Sequence, residues 1–162
     1  MHKLYLGIGG NKGNKIENFN KVYACIEKYI GKIVNRSSIY ETPPWGFSAK
    51  ENFWNQVLLP ETDLEPSAVL AAIGKIEKGF ERKRIPGRYT SREMDIDILY
   101  FDDLILHTET LKIPHPLVDK RLFVLAPLAE MAPEFRHPLL NKTNRQLLAA
   151  CKDNSAIEKV SF

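Results

Sequence analysis

An alternating stretch in the middle of the chain reads Met94-Asp95-Ile96-Asp97-Ile98-Leu99-Tyr100-Phe101. Successive side chains of a β-strand point to opposite faces, so a strand here would carry Asp95, Asp97 and Leu99 on one face. The other face would carry Ile96, Ile98 and Tyr100. Aspartate is depleted in strands, and two of them on one face favour a function for that face. The stretch therefore predicts a strand that presents two carboxylates.

The flanking sequence predicts three more strands and two helices. Apolar residues at steps of three and four indicate helices at 16–30 and from Pro66 to about Phe80. Strands are expected at 3–8, at 32–40 and at 53–59, the first ending in a tight turn at Gly9-Gly10 and the third halted by Pro60. The order βαββαβ is that of an α+β, ferredoxin-like fold with an antiparallel sheet. A proline-rich C-terminal extension is expected to carry short helices near 120–125 and 144–150.

The composition excludes several classes of protein. Of the 162 residues, 44% are hydrophobic, which is too many for a disordered chain. No apolar run reaches the roughly 18 residues that a spanning helix needs. Cys25 and Cys151 are far apart and have no metal-ligand spacing. We therefore expect a single domain over residues 1–162 that is cytoplasmic and monomeric, without a membrane segment.

Although the net charge is only +3, one part of the chain contains a cluster of basic residues. Half of the eight arginines lie within eleven positions, together with Lys83: they are Arg82, Arg84, Arg88 and Arg92. Arginine stays charged and presents five donors that suit phosphate oxygens. A basic surface loop is the alternative for this cluster alone. Next to Asp95 and Asp97, the cluster predicts a site for a triphosphate with its metal.

Asp95 and Asp97 are candidate magnesium ligands. Residues at positions i and i+2 of a strand are about 6.5–7 Å apart, which suits carboxylates that hold two metal ions about 3.5–4 Å from each other. Magnesium takes one or two carboxylates and completes its shell with water and phosphate oxygens. From the spacing alone, a solvated polar strand face remains the alternative.

Two further segments are candidates for ligand binding. Phe53 and Asn55 share a strand face, where a flat aromatic ring could stack on Phe53 and bond to Asn55 and to the free backbone at 42–46. Phe53 as an ordinary core residue is the alternative. His115 lies between two prolines, a few positions before Arg121. It is either a phosphate donor or part of a turn.

These segments together resemble the hydroxymethyldihydropterin pyrophosphokinase family. Members of this family transfer pyrophosphate from ATP to a pterin hydroxymethyl group in folate biosynthesis and release AMP. The resemblance covers essentially the whole chain. Its most specific part is 88–99, which is similar to the family signature Arg-Trp-Gly-Pro-Arg-x-x-Asp-x-Asp-Ile. Residues 40–44 and 113–116 also match.

The resemblance implies a role for each matching residue. Asp95 and Asp97 would bind two magnesium ions, and Arg82 and Arg92 would assist the transfer from a mobile loop. Contacts to ATP would come from Glu77, Arg84, Tyr89, Arg92, Ile98, His115 and Arg121. Phe53 and Phe123 would enclose the pterin ring. Its edge would meet Thr42, Pro43, Pro44, Trp45, Asn55 and Asp95.

The chain also departs from the family pattern. Tyr89-Thr90-Ser91 replaces Trp-Gly-Pro, Glu81 replaces a glycine, and Gly74 replaces a glutamine. These changes affect the expected loop stiffness and the nucleotide contacts near Gly74. Two other hypotheses are a ferredoxin-like RNA-binding module and an inactive homologue. The mild net charge and the paired aspartates disfavour a nucleic acid partner.

Overall fold

The fold is described by a computed structural model that covers residues 1–42, 52–80 and 94–160. Its strands are β1 (His2–Gly10), β2 (Lys32–Arg36), β3 (Tyr40–Thr42), β4 (Phe53–Thr62), β5 (Asp95–Phe101), β6 (Leu106–His107), β7 (Lys112–Ile113) and β8 (Glu158–Lys159). Its helices are α1 (Lys15–Tyr29), α2 (Pro66–Lys78), α3 (Leu122–Met131) and α4 (Asn144–Ala150). None of the helices among these residues is both long and apolar enough to cross a membrane.

The main sheet has the strand order β5-β1-β4-β3-β8, and β2 pairs with β4 beside β3. All of these pairings are antiparallel. The mixed α/β class and the antiparallel sheet are therefore confirmed. The order leaves β5, the strand with the two aspartates, at one edge of the sheet.

Two apolar clusters form the core, one on each face of the sheet. The first contains Leu4, Leu6 and Ile8 of β1 together with buried residues of α1 and α2. The second packs Tyr5 of β1 against α3 and α4. Side chains of β1 thus alternate between the clusters, as the two-residue period of a strand requires.

Prolines interrupt the elements less than the sequence predicts. The strand expected to stop at Pro60 continues to Thr62. Pro60 is tolerated because the register between β2 and β4 shifts next to the Ile33–Pro60 pair, and irregular positions accommodate a missing donor. Likewise α3 runs through the buried Pro127 to Met131, although a helix was expected only near 120–125. Burial of an apolar helix face outweighs the proline penalty there.

Other boundaries differ because of pairing in the sheet. The strand expected at 32–40 is divided into β2 and β3, which pair with different parts of β4. The turn expected at Gly9-Gly10 is wrong, since both glycines pair with β4 inside β1. The helix at 144–150 is confirmed, and Thr143 and Gln146 form a capping box at its start.

The alternation predicted for β5 holds only as far as Leu99. The register with β1 passes from the Leu6–Ile98 pair to the Tyr5–Tyr100 pair, which leaves Leu99 as an extra residue. Such a bulge reverses the side-chain alternation. Tyr100 consequently packs in the same cluster as Leu99 rather than with Ile96 and Ile98.

Candidate active site

The two aspartates of β5 lie opposite two glycines of β1. In the antiparallel register Asp95 pairs with Gly9 and Asp97 pairs with Gly7. Directly opposed residues share a face of the sheet, so both carboxylates stand beside positions without a side chain. The space left by these missing side chains is taken by Leu99, whose Cδ1 atom lies 3.4 Å from a Cβ atom built on Gly7, and by Asn55. This glycine pair was missed in the sequence, where it was interpreted as part of a turn.

Asn55 occupies the space above Gly9. Gly9 pairs with Asn55 on its other side, and a Cβ atom built on Gly9 would lie 2.4 Å from Asn55 Oδ1. No real Cβ atom approaches an oxygen so closely, so a glycine is needed for this position of the Asn55 side chain. Asp95, Gly9 and Asn55 therefore form one row across three strands.

A buried hydroxyl group lies beside this row. Thr42 at the end of β3 pairs with Phe53 and is only 2% exposed. Its Oγ1 atom has no hydrogen-bond partner among the described residues. An unsatisfied buried polar group costs about 1–3 kcal/mol. A polar group of a ligand would remove that cost.

The start of α3 also lines the cleft beside this row. Arg121 and Phe123 line the same cleft as Thr42, Phe53 and the row from Asp95 to Asn55. The Arg121 guanidinium carbon lies 5.6 Å from the centre of the Phe123 ring. The cleft has a volume of about 160 Å³, whereas one water molecule needs only about 10–15 Å³ on the same measure. It is large enough for a small planar ligand.

A second cleft of about 250 Å³ lies along the edge of β5 that faces away from β1. Its walls include Leu70 of α2, Ile98 of β5 and Leu111. His115 and Asp97 also line it. Asp97 is thus common to both clefts. The side chain of Asp97 is 51% exposed, which leaves its carboxylate open to ligands on either side.

His115 is held in one tautomer at the boundary of the second cleft. Its Nδ1 atom accepts a hydrogen bond from the Leu117 N–H at 3.1 Å, so the proton of the neutral ring lies on Nε2. Nε2 is 4.0 Å from Asp97 Oδ1. Burial lowers the pKa of His115 below its usual value; Asp97 opposes this shift and Arg121 adds to it. The neutral ring therefore presents an Nε2–H donor toward Asp97 and the second cleft.

Glu77 supports the edge strand. Its Oε2 atom accepts a hydrogen bond from the Ile96 N–H at 2.9 Å. This N–H group faces away from β1, on the side of β5 that forms the edge of the sheet. Gly74, one turn earlier on α2, is exposed, and no atom of the described residues lies within 4 Å of a Cβ atom built there. The helix thus brings Glu77, but not Gly74, into contact with β5.

The structure brings the described candidate residues, except Glu77, to two adjoining clefts. Thr42, Phe53, Asn55, Asp95 and Phe123 meet at the first, and Ile98 and His115 meet at the second. Arg121 lines the first cleft and Asp97 lines both. Outside the described residues lie the candidates Pro43, Pro44, Trp45, Arg82, Arg84, Tyr89 and Arg92.

Comparison with known proteins points to one family. The family model described as 7,8-dihydro-6-hydroxymethylpterin-pyrophosphokinase matches residues 5–133. A 2-amino-4-hydroxy-6-hydroxymethyldihydropteridine pyrophosphokinase of Aquifex aeolicus is 39% identical over 142 residues, which is 88% of each chain. A protein of the same name from Methylorubrum extorquens is 36% identical over 161 residues, 99% of each chain.

Solved structures support the fold. The crystal structure of Plasmodium falciparum HPPK-DHPS with pteroate has a TM-score of 0.75 and 20% sequence identity. The match covers 92% of this chain and 42% of the Plasmodium chain, so this chain spans less than half of that protein. With the family match over most of its length and relatives that are similar from end to end, this chain belongs to the 7,8-dihydro-6-hydroxymethylpterin-pyrophosphokinase family.

Proposed function

We propose that this protein transfers pyrophosphate from ATP to the hydroxymethyl group of a dihydropterin and releases AMP, as a step of folate biosynthesis. The observation that carries the proposal is that Asp97 lines two adjoining clefts of different character. A two-substrate transfer needs the reacting groups of both substrates at one point. We propose that the reacting groups of the two substrates meet at Asp97.

The first cleft suits a pterin ring. Phe53 of β4 and Phe123 of α3 both line it, and stacking on aromatic rings contributes about 0.5–1.5 kcal/mol per pair beyond burial. Asn55 and Thr42 offer polar groups for the ring edge. Recognition by buried polar groups is selective, because a ligand that lacks the matching group leaves them unpaired. We assign Pro43, Pro44 and Trp45 to the same edge.

The second cleft suits ATP. Leu70, Ile98 and Leu111 provide apolar walls for a flat base, and the Nε2–H of His115 is a donor for a phosphate oxygen. Glu77 bonds to the Ile96 N–H of β5, and the charge of Arg121 acts on His115, so we assign both residues to the ATP site. We assign the remaining contacts with ATP to Arg84, Tyr89 and Arg92, and assistance of the transfer to Arg82 and Arg92.

The donor set at Asp95 and Asp97 fits magnesium. Two carboxylates of one strand face supply hard oxygen ligands, and magnesium completes its shell with water and phosphate oxygens. We propose that Asp95 and Asp97 hold two such ions with ATP. When bound, the ions supply charge neutralisation for the triphosphate and the substrate hydroxyl.

The protein contributes positioning and exclusion of water. The hydroxymethyl oxygen forms a bond to the β-phosphorus of ATP, the bond from that phosphorus to the α–β bridging oxygen breaks, and AMP leaves with the bridging oxygen. The hydroxyl proton is lost to solvent. Stacking against Phe53 and Phe123 aligns the attacking oxygen, and arginine and His115 donors stabilise charge on the phosphate oxygens.

The finer expectations belong to the same proposal. We propose that β1, α1, the β2–β3 pair, β4, α2 and β5 form a ferredoxin-like core and that the residues after 101 extend it. We also propose that residues 1–162 act as one domain, as a monomer in the cytoplasm. The strand order around β1 supports the first part.

Replacing Asp97 tests the proposed reaction. Asp97→Asn removes the charge shared by both clefts, and we expect AMP release to fall by about 10²–10³-fold, as for loss of a group that stabilises the transition state. AMP formation is measured with ATP, 6-hydroxymethyl-7,8-dihydropterin and magnesium, omitting each in turn. The loss should lie in kcat rather than in the KM for the pterin.

Asp103→Asn is the matched control for this experiment. Asp103 is exposed and lies two residues after β5, so its replacement should leave turnover unchanged. Wild-type turnover in Asp97→Asn would contradict the metal assignment. A wild-type protein that forms no AMP would refute the proposed activity and favour an inactive homologue.

A further inference from the structure

The C-terminal segment after α4 returns to the start of α3. Asp153 lies two residues beyond the C-cap residue Cys151, and its Oδ2 atom accepts a hydrogen bond from the Leu122 N–H at 3.0 Å. Leu122 is the first residue of α3. The first four N–H groups of a helix have no partner within the helix, so Asp153 supplies from a distance what a local cap supplies in other helices.

No local side chain caps α3. The N-cap residue is Arg121, whose side chain makes no capping hydrogen bond and has no acceptor atom. The Asp153 carboxylate is itself fixed, because its Oδ1 atom accepts hydrogen bonds from both the N–H and the hydroxyl of Ser155. The hydrogen bonds from Ser155 and Leu122 lower the pKa of Asp153. It is therefore an ionised cap at neutral pH.

The first turn of α3 carries a wall of the first cleft. Arg121 and Phe123 line this cleft, and both adjoin Asp153 in a neighbouring surface hollow. The same C-terminal segment then reaches the other side of the cleft, where β8 pairs with β3 and the Val160 N–H donates to the Ile39 carbonyl at 2.8 Å. One segment thus contacts both the strand that ends at Thr42 and the helix that presents Phe123.

We infer that Asp153 is a positioning residue of the pterin site, which acts by capping α3 so that Phe123 keeps its place in the cleft wall. This inference rests on the proposed function. Asp153 lies beyond the residues that match the family model, 5–133. Its role follows from the hydrogen bonds of this chain alone.

The test is a double-mutant cycle on pterin affinity. The full-length variants Asp153→Ala, Phe123→Ala and their combination are titrated with 6-hydroxymethylpterin, by ring fluorescence, in the presence of magnesium and α,β-methylene-ATP. Loss of a helix cap should weaken pterin binding by about threefold to tenfold in Asp153→Ala. In the Phe123→Ala background the same change should have less than about a twofold effect, because coupled residues are not additive.

Two further variants separate positioning from general destabilisation. Asp153→Asn keeps an acceptor oxygen for the Leu122 N–H and should restore most of the affinity lost in Asp153→Ala. Glu158→Gln changes an exposed carboxylate of the same segment and should bind pterin like the wild type. All titrations are made well below the unfolding midpoint of each variant, which thermal melts establish.

The outcomes distinguish this inference from the proposed function. Unchanged pterin affinity in Asp153→Ala overturns the inference while wild-type binding still supports the function. Equal losses in the wild-type and Phe123→Ala backgrounds also overturn it, because Asp153 would then not act through Phe123. A wild-type protein that binds no pterin overturns both.

Discussion

Thr42 combines burial with an unused hydrogen-bonding group. Its hydroxyl has no partner among the described residues, although the side chain is almost inaccessible. Most buried polar groups in folded proteins are paired. Thr42 lines the first cleft, and the proposed function makes a polar group of the pterin the partner of its hydroxyl.

Replacing Thr42 by valine should separate binding from stability. Thr42→Val removes the hydroxyl and keeps the shape, so pterin affinity should fall about fivefold to tenfold, the value of one hydrogen bond of about 1 kcal/mol. The unfolding midpoint should stay the same or rise, because an unsatisfied group is removed. Pterin titration and thermal melts measure the two effects.

Thr42→Ser is the control for this pair of measurements, since it retains the hydroxyl. It should bind pterin more tightly than Thr42→Val. A valine variant with wild-type affinity, or one that loses stability and affinity together, would argue against a ligand contact at Thr42.

The role of the glycines in β1 depends on residues of the neighbouring strands. Gly7 and Gly9 alternate along a strand, but their meaning depends on the neighbours that they face. Gly9 lies between Asp95 and Asn55, and only the sheet register reveals that a larger residue would displace Asn55. The sequence shows the two glycines but not the residues that they face in the sheet.

At the scale of elements, Gly74 lowers the stability of α2 and makes no contact with the described residues that would require a glycine. Gly74 is exposed in the middle of the helix, and a Cβ atom there would meet open space. Gly74→Ala should stabilise the protein by about 0.5–1 kcal/mol. A change of 1 kcal/mol raises the unfolding midpoint by about 2–4 °C in a chain of this size. Thermal or urea unfolding measures this change.

Ala71→Gly is the matched control in the same helix. Ala71 is also exposed, and this reverse substitution should lower stability by a similar amount. A loss of stability in Gly74→Ala would mean that the glycine has a backbone or packing role that the open space around it does not indicate.

Two features of the helices were predicted correctly. The helix at 144–150 and the start of α2 at Pro66 agree with the structure. Pro60 was expected to end a strand and a helix was expected only near 120–125, but the strand continues past Pro60 and the helix continues through Pro127. Proline acts locally, because it lacks a backbone N–H donor. An irregular sheet register and the burial of a helix face are tertiary effects, and here they outweigh the missing donor.

At the scale of the whole molecule, Glu130 connects three elements. From α3 it accepts hydrogen bonds from the Tyr40 hydroxyl at 2.6 Å and from the Ser38 N–H at 2.9 Å, and it lies 3.8 Å from Lys159 of β8. Burial raises its pKa, but the bonds from Tyr40 and Ser38 and the charge of Lys159 together lower it below the usual value.

Glu130→Gln should therefore destabilise the protein in a pH-dependent way. The loss at neutral pH should be about 1–3 kcal/mol, as for hydrogen bonds to a charged group. Because the folded pKa is depressed, this contribution is present above the ordinary glutamate pKa and is lost as the pH falls through the folded value. The difference between wild type and variant should shrink below about pH 4.3.

Urea unfolding between pH 7 and pH 3 measures this difference. Glu134→Gln is the control, since Glu134 pairs with Arg145 where both side chains are about two-thirds exposed, and exposed pairs contribute about 0–1 kcal/mol. An equal, pH-independent loss in both variants would refute the specific role of Glu130.

The sequence by itself determined the residue types of the site and the order of the main elements. The two-residue period of a strand assigns side chains to faces without knowledge of the neighbouring strands. It placed Asp95 and Asp97 on one face of β5, and Phe53 and Asn55 on one face of β4. The family resemblance followed from local sequence motifs. The mixed fold with an antiparallel sheet followed for the same reason.

Only the tertiary structure decided which residues share a cleft and what supports them. The register of β1 between β4 and β5 joins Asp95 to Asn55 across Gly9, and the bulge at Leu99 turns Tyr100 to the other core. The contact between Asp153 and Leu122 spans 31 positions of the chain. Such contacts depend on long-range pairing and packing, which no local period encodes.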